Sequence, residues 1–111
     1  MNDEKTAVIR ALNDAFRTTW HGNGQLLITS GVSALGEEAT YKAILAVQAF
    51  DDFNPENDPH HEHDFGAFTI NGHKLFWKPD YYDLNLEYGS PDPTDSAVTR
   101  RVLTIMRASE Y

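Results

Sequence analysis

The chain has no cysteine, which removes disulfides, iron–sulfur clusters, thiolate zinc sites and cysteine nucleophiles from consideration. Any metal would have to rest on histidine and oxygen. It has no apolar run near the roughly 18 residues of a membrane helix, and Met1 to Lys5 lack the apolar centre of a signal peptide. The expectation is an untethered cytoplasmic protein. With five prolines and seven glycines among 111 residues, it is not a low-complexity chain either. Lysine and arginine are missing from Ala43 to His73 altogether.

What is present fits one compact unit. A length of 111 residues and 41% apolar content support one core and too little chain for two, so residues 1–111 read as a single domain. The net charge of -8 is unevenly placed. Residues 1–42 carry five acids and four bases, residues 43–99 eleven acids and two lysines, and residues 100–111 one acid and three arginines. An anionic middle repels nucleic acid and anionic membrane, and attracts cations or basic protein grooves. Direct nucleic-acid binding is therefore disfavoured.

Along the chain, Val8, Ile9, Leu12, Ala15 and Phe16 share a helical stripe between Asp3 and about Thr18. Asn2, Asp3 and Glu4 make an acidic start. Arg10, Asp14 and Arg17 fall on the other side and read as a solvated face. Gly22-Asn23-Gly24 ends that helix, and Gln25 to Thr29 suits a strand. Ser30 to Gly36 reads as a connector. Glu37 to about Asp51 is again helical, with Thr40, Tyr41, Ile44, Val47 and Gln48 on one side and alanines suited to close packing.

Asn71-Gly72 between two alternating runs is the signal of a two-residue type I′ hairpin. Its register puts Ile70 opposite His73, Phe68 opposite Leu75, and Gly66 opposite Trp77, where a glycine leaves room for the indole. Pro79 should sit at an edge or bulge. Leu86 to Tyr88 reads as a last strand. A final helix, capped by Thr94 or Asp95, would bury Val98, Val102, Ile105 and Met106 and leave Arg100 and Arg107 outside. The order αβαβββα predicts an α+β fold, an antiparallel sheet of about four strands with helices mainly on one face.

The stretch Asp51 to Asp64 is the most unusual, with six carboxylates and three of the five histidines. His60, His63 and Asp64 offer nitrogen and oxygen donors that zinc, manganese or nickel accept, the basis for a small metal-dependent enzyme as the alternative reading. A calcium loop is rejected, because Asn57 stands where glycine is needed and His63 where the bidentate acid is needed. No nucleophile elbow, phosphate-cradling loop or dinucleotide fingerprint is present. The preferred reading is a non-enzymatic binding protein without a cofactor. Asp51, Asp52, Glu56, Asp58, Glu62, Asp64, Asp80 and Asp83 would supply charge to a basic protein partner, and Phe53, Tyr81 and Tyr82 contact area.

The chain also resembles a family of small bacterial proteins catalogued as a domain of unknown function and often carried on plasmids and other mobile elements. The resemblance rests on Ile9-Arg10-Ala11-Leu12-Asn13-Asp14, Phe50-Asp51-Asp52-Phe53, Asn57-Asp58-Pro59-His60, Glu62-His63-Asp64-Phe65-Gly66 and Trp77-Lys78 with Asp80-Tyr81-Tyr82. It continues through Gly89-Ser90-Pro91-Asp92-Pro93, Arg101-Val102-Leu103-Thr104-Ile105-Met106 and Ser109-Glu110-Tyr111. His61 and Pro79 depart from the usual pattern. The resemblance implies no catalytic residue. It implies a role useful to mobile DNA, such as an anti-defence inhibitor (for example an anti-CRISPR protein) that blocks a basic nucleic-acid-binding site of a host complex.

Overall fold

A computed structural model describes residues 3–111; the Asn2 part of the expected helix start lies outside them. The elements run α1 (Asp3–Thr19), β1 (Gly24–Ile28), α2 (Ser30–Ser33), α3 (Glu37–Ala49), β2 (Gly66–Ile70), β3 (His73–Tyr82) and β4 (Arg100–Arg107), followed by a short 3₁₀ turn at Ala108–Glu110. The fold is α+β, with a four-stranded sheet in the order β1-β4-β3-β2. The sheet is mixed rather than antiparallel, because β1 and β4 run parallel while β4-β3 and β3-β2 are antiparallel.

The hairpin forms in the expected register: Ile70 faces His73, Phe68 faces Leu75 and Gly66 faces Trp77. Asn71 and Gly72 both take positive φ, 51° and 83°, as a type I′ turn requires. A Cβ on Gly66 would collide with the Trp77 indole, so that glycine makes room for a fully buried ring. Pro79 lies inside β3, opposite Leu103. It shares the parity of His73, Leu75 and Trp77, whose N–H groups face β2, and β2 has already ended at Gly66. The missing donor therefore costs no ladder bond.

Two expected elements are corrected. Arg100–Arg107 is a strand, not a helix. It sits between β1 and β3, and Val102, Leu103, Ile105 and Met106 are all buried. A strand covered on both faces loses its polar alternation, so its residues also match a helical stripe. The expected caps serve turns instead: Asp92 Oδ1 accepts the Thr94 N–H at 3.1 Å and Asp95 Oδ1 accepts the Ala97 N–H at 2.9 Å. Leu86 to Tyr88 is no strand; only an isolated bridge joins Tyr82 to Gly89, and the chain between them turns back on itself. Ser30 to Ser33 is a short helix rather than a connector, with the Thr29 hydroxyl accepting the Val32 N–H.

The core joins Phe16 of α1, Val32 of α2, and Ala43 and Val47 of α3 to Leu75, Trp77, Leu103 and Ile105 of the sheet. In α3 the buried line is Ala39, Ala43 and Val47, whereas Tyr41 is 63% exposed. Ala39 and Ala43 are both buried on this line. In α1 the buried face is Asn13, Phe16 and Arg17, while Val8 is exposed. The face expected to be solvated is thus turned inward, for a reason given below. No helix among the described residues is long and apolar enough to cross a membrane.

Candidate functional site

The acidic loop between α3 and β2 is built by its own short side chains. Asn54 Oδ1 accepts the N–H groups of Glu56 and Asn57 at 2.9 and 3.1 Å, while Asn57 Oδ1 accepts the Asn54 N–H at 2.9 Å and its amide donates to the Asp52 carbonyl at 2.7 Å. This reciprocal asparagine pair replaces the regular structure that Pro55 and Pro59 disrupt. His61 and His63 then take left-handed backbone angles, φ 59° and 53°, which non-glycine residues hold only where their surroundings fix them.

Helix α1 does the fixing. Arg10 donates to the His61 carbonyl at 3.0 Å, Asn13 to the Glu62 carbonyl at 2.9 Å, and the His63 Nδ1–H to the Asp14 carboxylate at 2.9 Å. Arg10, Asn13, Asp14 and Arg17 have the i, i+3, i+4, i+7 spacing of one helix face. A polar stripe that looked solvated is the seat of the loop.

Two linked clusters result. In the first, His63 lies between carboxylates, with Nδ1 on Asp14 and Nε2 3.6 Å from Asp58, and its ring stacks flat on Phe53 at 3.7 Å. Asp58 is buried and also accepts the His63 N–H at 3.0 Å. Arg17 pairs with Asp14 at 2.9 Å, donates at 2.8 Å to the carbonyls of both Val47 and Phe50, and lies over the rings of Phe53 and Trp77. It closes the C-terminal end of α3, whose last carbonyls have no partner within the helix.

The second cluster centres on Asn13. Its amide donates to Tyr81 Oη at 2.8 Å, its carbonyl oxygen accepts from Arg101 Nε at 2.8 Å, and Tyr81 donates in turn to Glu62 at 3.0 Å. Arg101 also donates to the Pro93 carbonyl at 2.6 Å and covers the Tyr81 ring. Burial pushes the Tyr81 phenol well above its usual range, with Glu62 and Asp64 adding to the rise. Burial lowers the Arg101 guanidinium, opposed by Tyr81 and Glu62.

On the outside, a groove of about 830 Å³ runs between the loop and the neighbouring stretch of β3. Glu56, His60, Asp64 and Asp80 line it, together with Phe65, Phe76 and Tyr111. Those three rings pack edge-on or tilted against one another at 5.0 to 6.1 Å. Lys78 also lines the groove and bonds Asp80 there at 3.0 Å, which leaves the acids in excess. Half-burial raises the Asp64 carboxyl above its ordinary value, and the charges of Glu62 and Asp58 raise it further.

The residues expected to bind a partner therefore separate into groups. Asp51, Asp52 and Glu56 are exposed. Asp64 and Asp80 face the groove. Phe53, Asp58, Glu62 and Tyr81 are engaged in the internal clusters. Tyr82 ends β3, and Asp83 opens the turn that follows. Of the alternative metal set, His60 and Asp64 reach the groove while the His63 ring is turned to Asp14 and Asp58. Among the described residues, no three histidine, aspartate or glutamate side chains gather as metal ligands. Sequence reasoning missed Arg10, Asn13, Asp14 and Arg17 as the seat of the loop; their polar 10/13/14/17 spacing was the available signal.

Residues 28–110 match the model of a family described as a protein of unknown function (DUF3768). The chain belongs to this family. The matched stretch contains the acidic loop and the sheet from Ile28 onward, and leaves out α1 with its loop anchors. No curated protein and no solved structure matches the chain.

Proposed function

We propose that this member of the DUF3768 family is a non-enzymatic binding protein whose anionic groove receives basic side chains of a nucleic-acid-handling protein. It would thereby occupy a site meant for DNA or RNA. The observation that carries the reading is the groove itself, in which Glu56, Asp64 and Asp80 stand beside Phe65, Phe76 and Tyr111. Carboxylates steer and orient a cation, and rings pack against the methylene stem of a lysine or arginine. The raised Asp64 carboxyl supports it, since an arriving cation offsets the burial and repulsion that now oppose ionisation. The tying of the loop to α1 also supports it, because a groove wall already ordered loses little entropy on binding. An inhibitor of host defence, such as an anti-CRISPR protein carried by a mobile element, is the specific form this reading takes.

Affinity capture from the native host followed by titration of the purified partner tests it. Binding should weaken steeply between about 0.05 and about 0.5 M salt. The double variant Asp51→Lys/Glu56→Lys, which alters two exposed loop acids, should lose at least about tenfold in affinity. Binding that ignores both salt and charge reversal would refute the proposal.

A further inference from the structure

Beyond the groove, β3 leads into a tip, residues 83–90, that presents large apolar side chains to solvent on a hydrogen-bonded turn. Leu84, Leu86 and Tyr88 are 51, 41 and 72% exposed. Three such residues within five positions form a concentrated patch, unlike the isolated surface leucines found on most proteins. The backbone beneath them is closed by hydrogen bonds. The Asp83 N–H donates to the Tyr88 carbonyl at 2.8 Å, the Leu86 N–H to the Asp83 carbonyl at 3.0 Å, and the Ser90 N–H to the Tyr81 carbonyl at 3.0 Å. Asp83 Oδ1 accepts the Glu87 N–H at 3.0 Å.

Leu86 sits at φ 59°, a left-handed conformation that glycine or asparagine adopts far more readily. The molecule thus keeps a strained leucine at a solvent-facing turn where its side chain contributes little to the core. Folding alone does not account for that choice, whereas an apolar contact made with something outside the chain does.

We propose that the 83–90 tip is the apolar anchor of the interface, with Leu84, Leu86 and Tyr88 inserting into a pocket on the basic protein that the groove engages. Asp83 and Glu87 flank the apolar residues, so the pocket that accepts them has a basic rim, as the charge of the groove also demands. The tip follows directly on β3, which carries the groove residue Asp80 near its end, so one partner surface can meet both. This inference rests on the proposed binding of a basic protein, but the two fail separately.

The test uses the full chain and its captured, purified partner. Two tip variants are compared with wild type and with Asp51→Lys/Glu56→Lys: the triple variant Leu84→Ser/Leu86→Ser/Tyr88→Ser, and the single variant Leu86→Gly. The triple variant is expected to keep the wild-type circular dichroism spectrum, lose at least about tenfold in affinity, and retain the wild-type salt dependence. The loop-acid variant should instead flatten the salt dependence. Leu86→Gly should melt at a higher temperature than wild type while binding more weakly, a combination that a purely structural leucine would not give. The tip proposal is overturned if the triple variant binds as tightly as wild type. It is equally overturned if sedimentation shows the tip holding a second copy of this chain, or if no protein is retained by wild type and lost by the triple variant. Loss in the tip variants with no effect of loop charge would overturn the acidic-groove reading and leave the anchor standing.

Discussion

Arg17→Leu is expected to be among the most damaging single changes outside the apolar core. A helix-surface i, i+3 pair such as Asp14–Arg17 would ordinarily contribute only about 0.2–0.5 kcal/mol. Here the arginine side chain is 5% exposed. Its guanidinium makes two 2.8 Å bonds to the Val47 and Phe50 carbonyls in addition to the 2.9 Å contact with Asp14. Hydrogen bonds from a charged donor contribute about 1.5–3 kcal/mol each. The Asp14 carboxylate left behind is 36% exposed and keeps its bond to His63, so the ion pair adds little to the loss. Leucine restores some contact with Phe53 and Trp77, so a net loss of about 3–4 kcal/mol is expected. For a chain of 111 residues, that lowers the melting temperature by about 12–16 °C. Arg17→Lys keeps the charge but lacks the fork, and should lose about 2 kcal/mol. Urea denaturation gives the free energies. Hydrogen exchange should show residues 50–64 and the last turn of α3 losing protection before the sheet does. If Arg17→Leu stays within about 1 kcal/mol of wild type, the guanidinium is not the link between α1, α3 and the loop.

Gly66→Ala drives a Cβ into the Trp77 indole nitrogen and to 2.8 Å from Phe50. It should destabilise by about 2 kcal/mol, and by less in a Trp77→Phe background, where the indole nitrogen is gone and the Phe50 contact remains; equal costs in both backgrounds would refute the steric account. Asp64 has a folded-state carboxyl pKa above its unfolded value, so its ionisation opposes folding. The stability associated with its neutral form is complete below the unfolded value and is lost as pH rises through the folded one. Asp64→Asn should therefore raise the melting temperature at neutral pH and have less effect near about pH 3; the reverse pattern would show that the carboxylate is stabilised. Tyr81, bonded to Asn13 and Glu62, should stay un-ionised in an alkaline titration followed near 295 nm until the protein unfolds, and Tyr81→Phe should cost about 1 kcal/mol by denaturation. Early ionisation of all five tyrosines would contradict the buried network.

The hairpin was readable because its determinants are local. Asn71-Gly72 selects the turn, alternation selects the face, and Gly66 opposite Trp77 follows from counting. Strand β4 was not, because its identity depends on neighbours distant in sequence. Val102 to Met106 is apolar on both sides only because β1 and β3 flank it and both faces are covered, and a continuous apolar run does not reveal its own period. The site was divided in the same way. The density of acids between Asp51 and Asp64 is visible by inspection, whereas the pairing of Asp14 with His63 joins positions 49 apart and has no local signature. The usual assumption that charged helix residues face water concealed Arg10, Asn13, Asp14 and Arg17, although their spacing was regular.

The strand order β1-β4-β3-β2 also constrains how the molecule assembles in time. β1 and the β2–β3 hairpin share no ladder; each is joined to the sheet only through β4. The hairpin can close within microseconds from local contacts, but Gly24 must wait for Arg101 before β1 acquires its partner. A nascent chain interrupted before Arg100 therefore holds a hairpin and a lone apolar strand with no sheet to unite them, a species suited to chaperone capture or aggregation. Substitutions in β4 should accordingly slow folding more than those in β1, and β4 is where rate, rather than equilibrium stability, will be most sensitive.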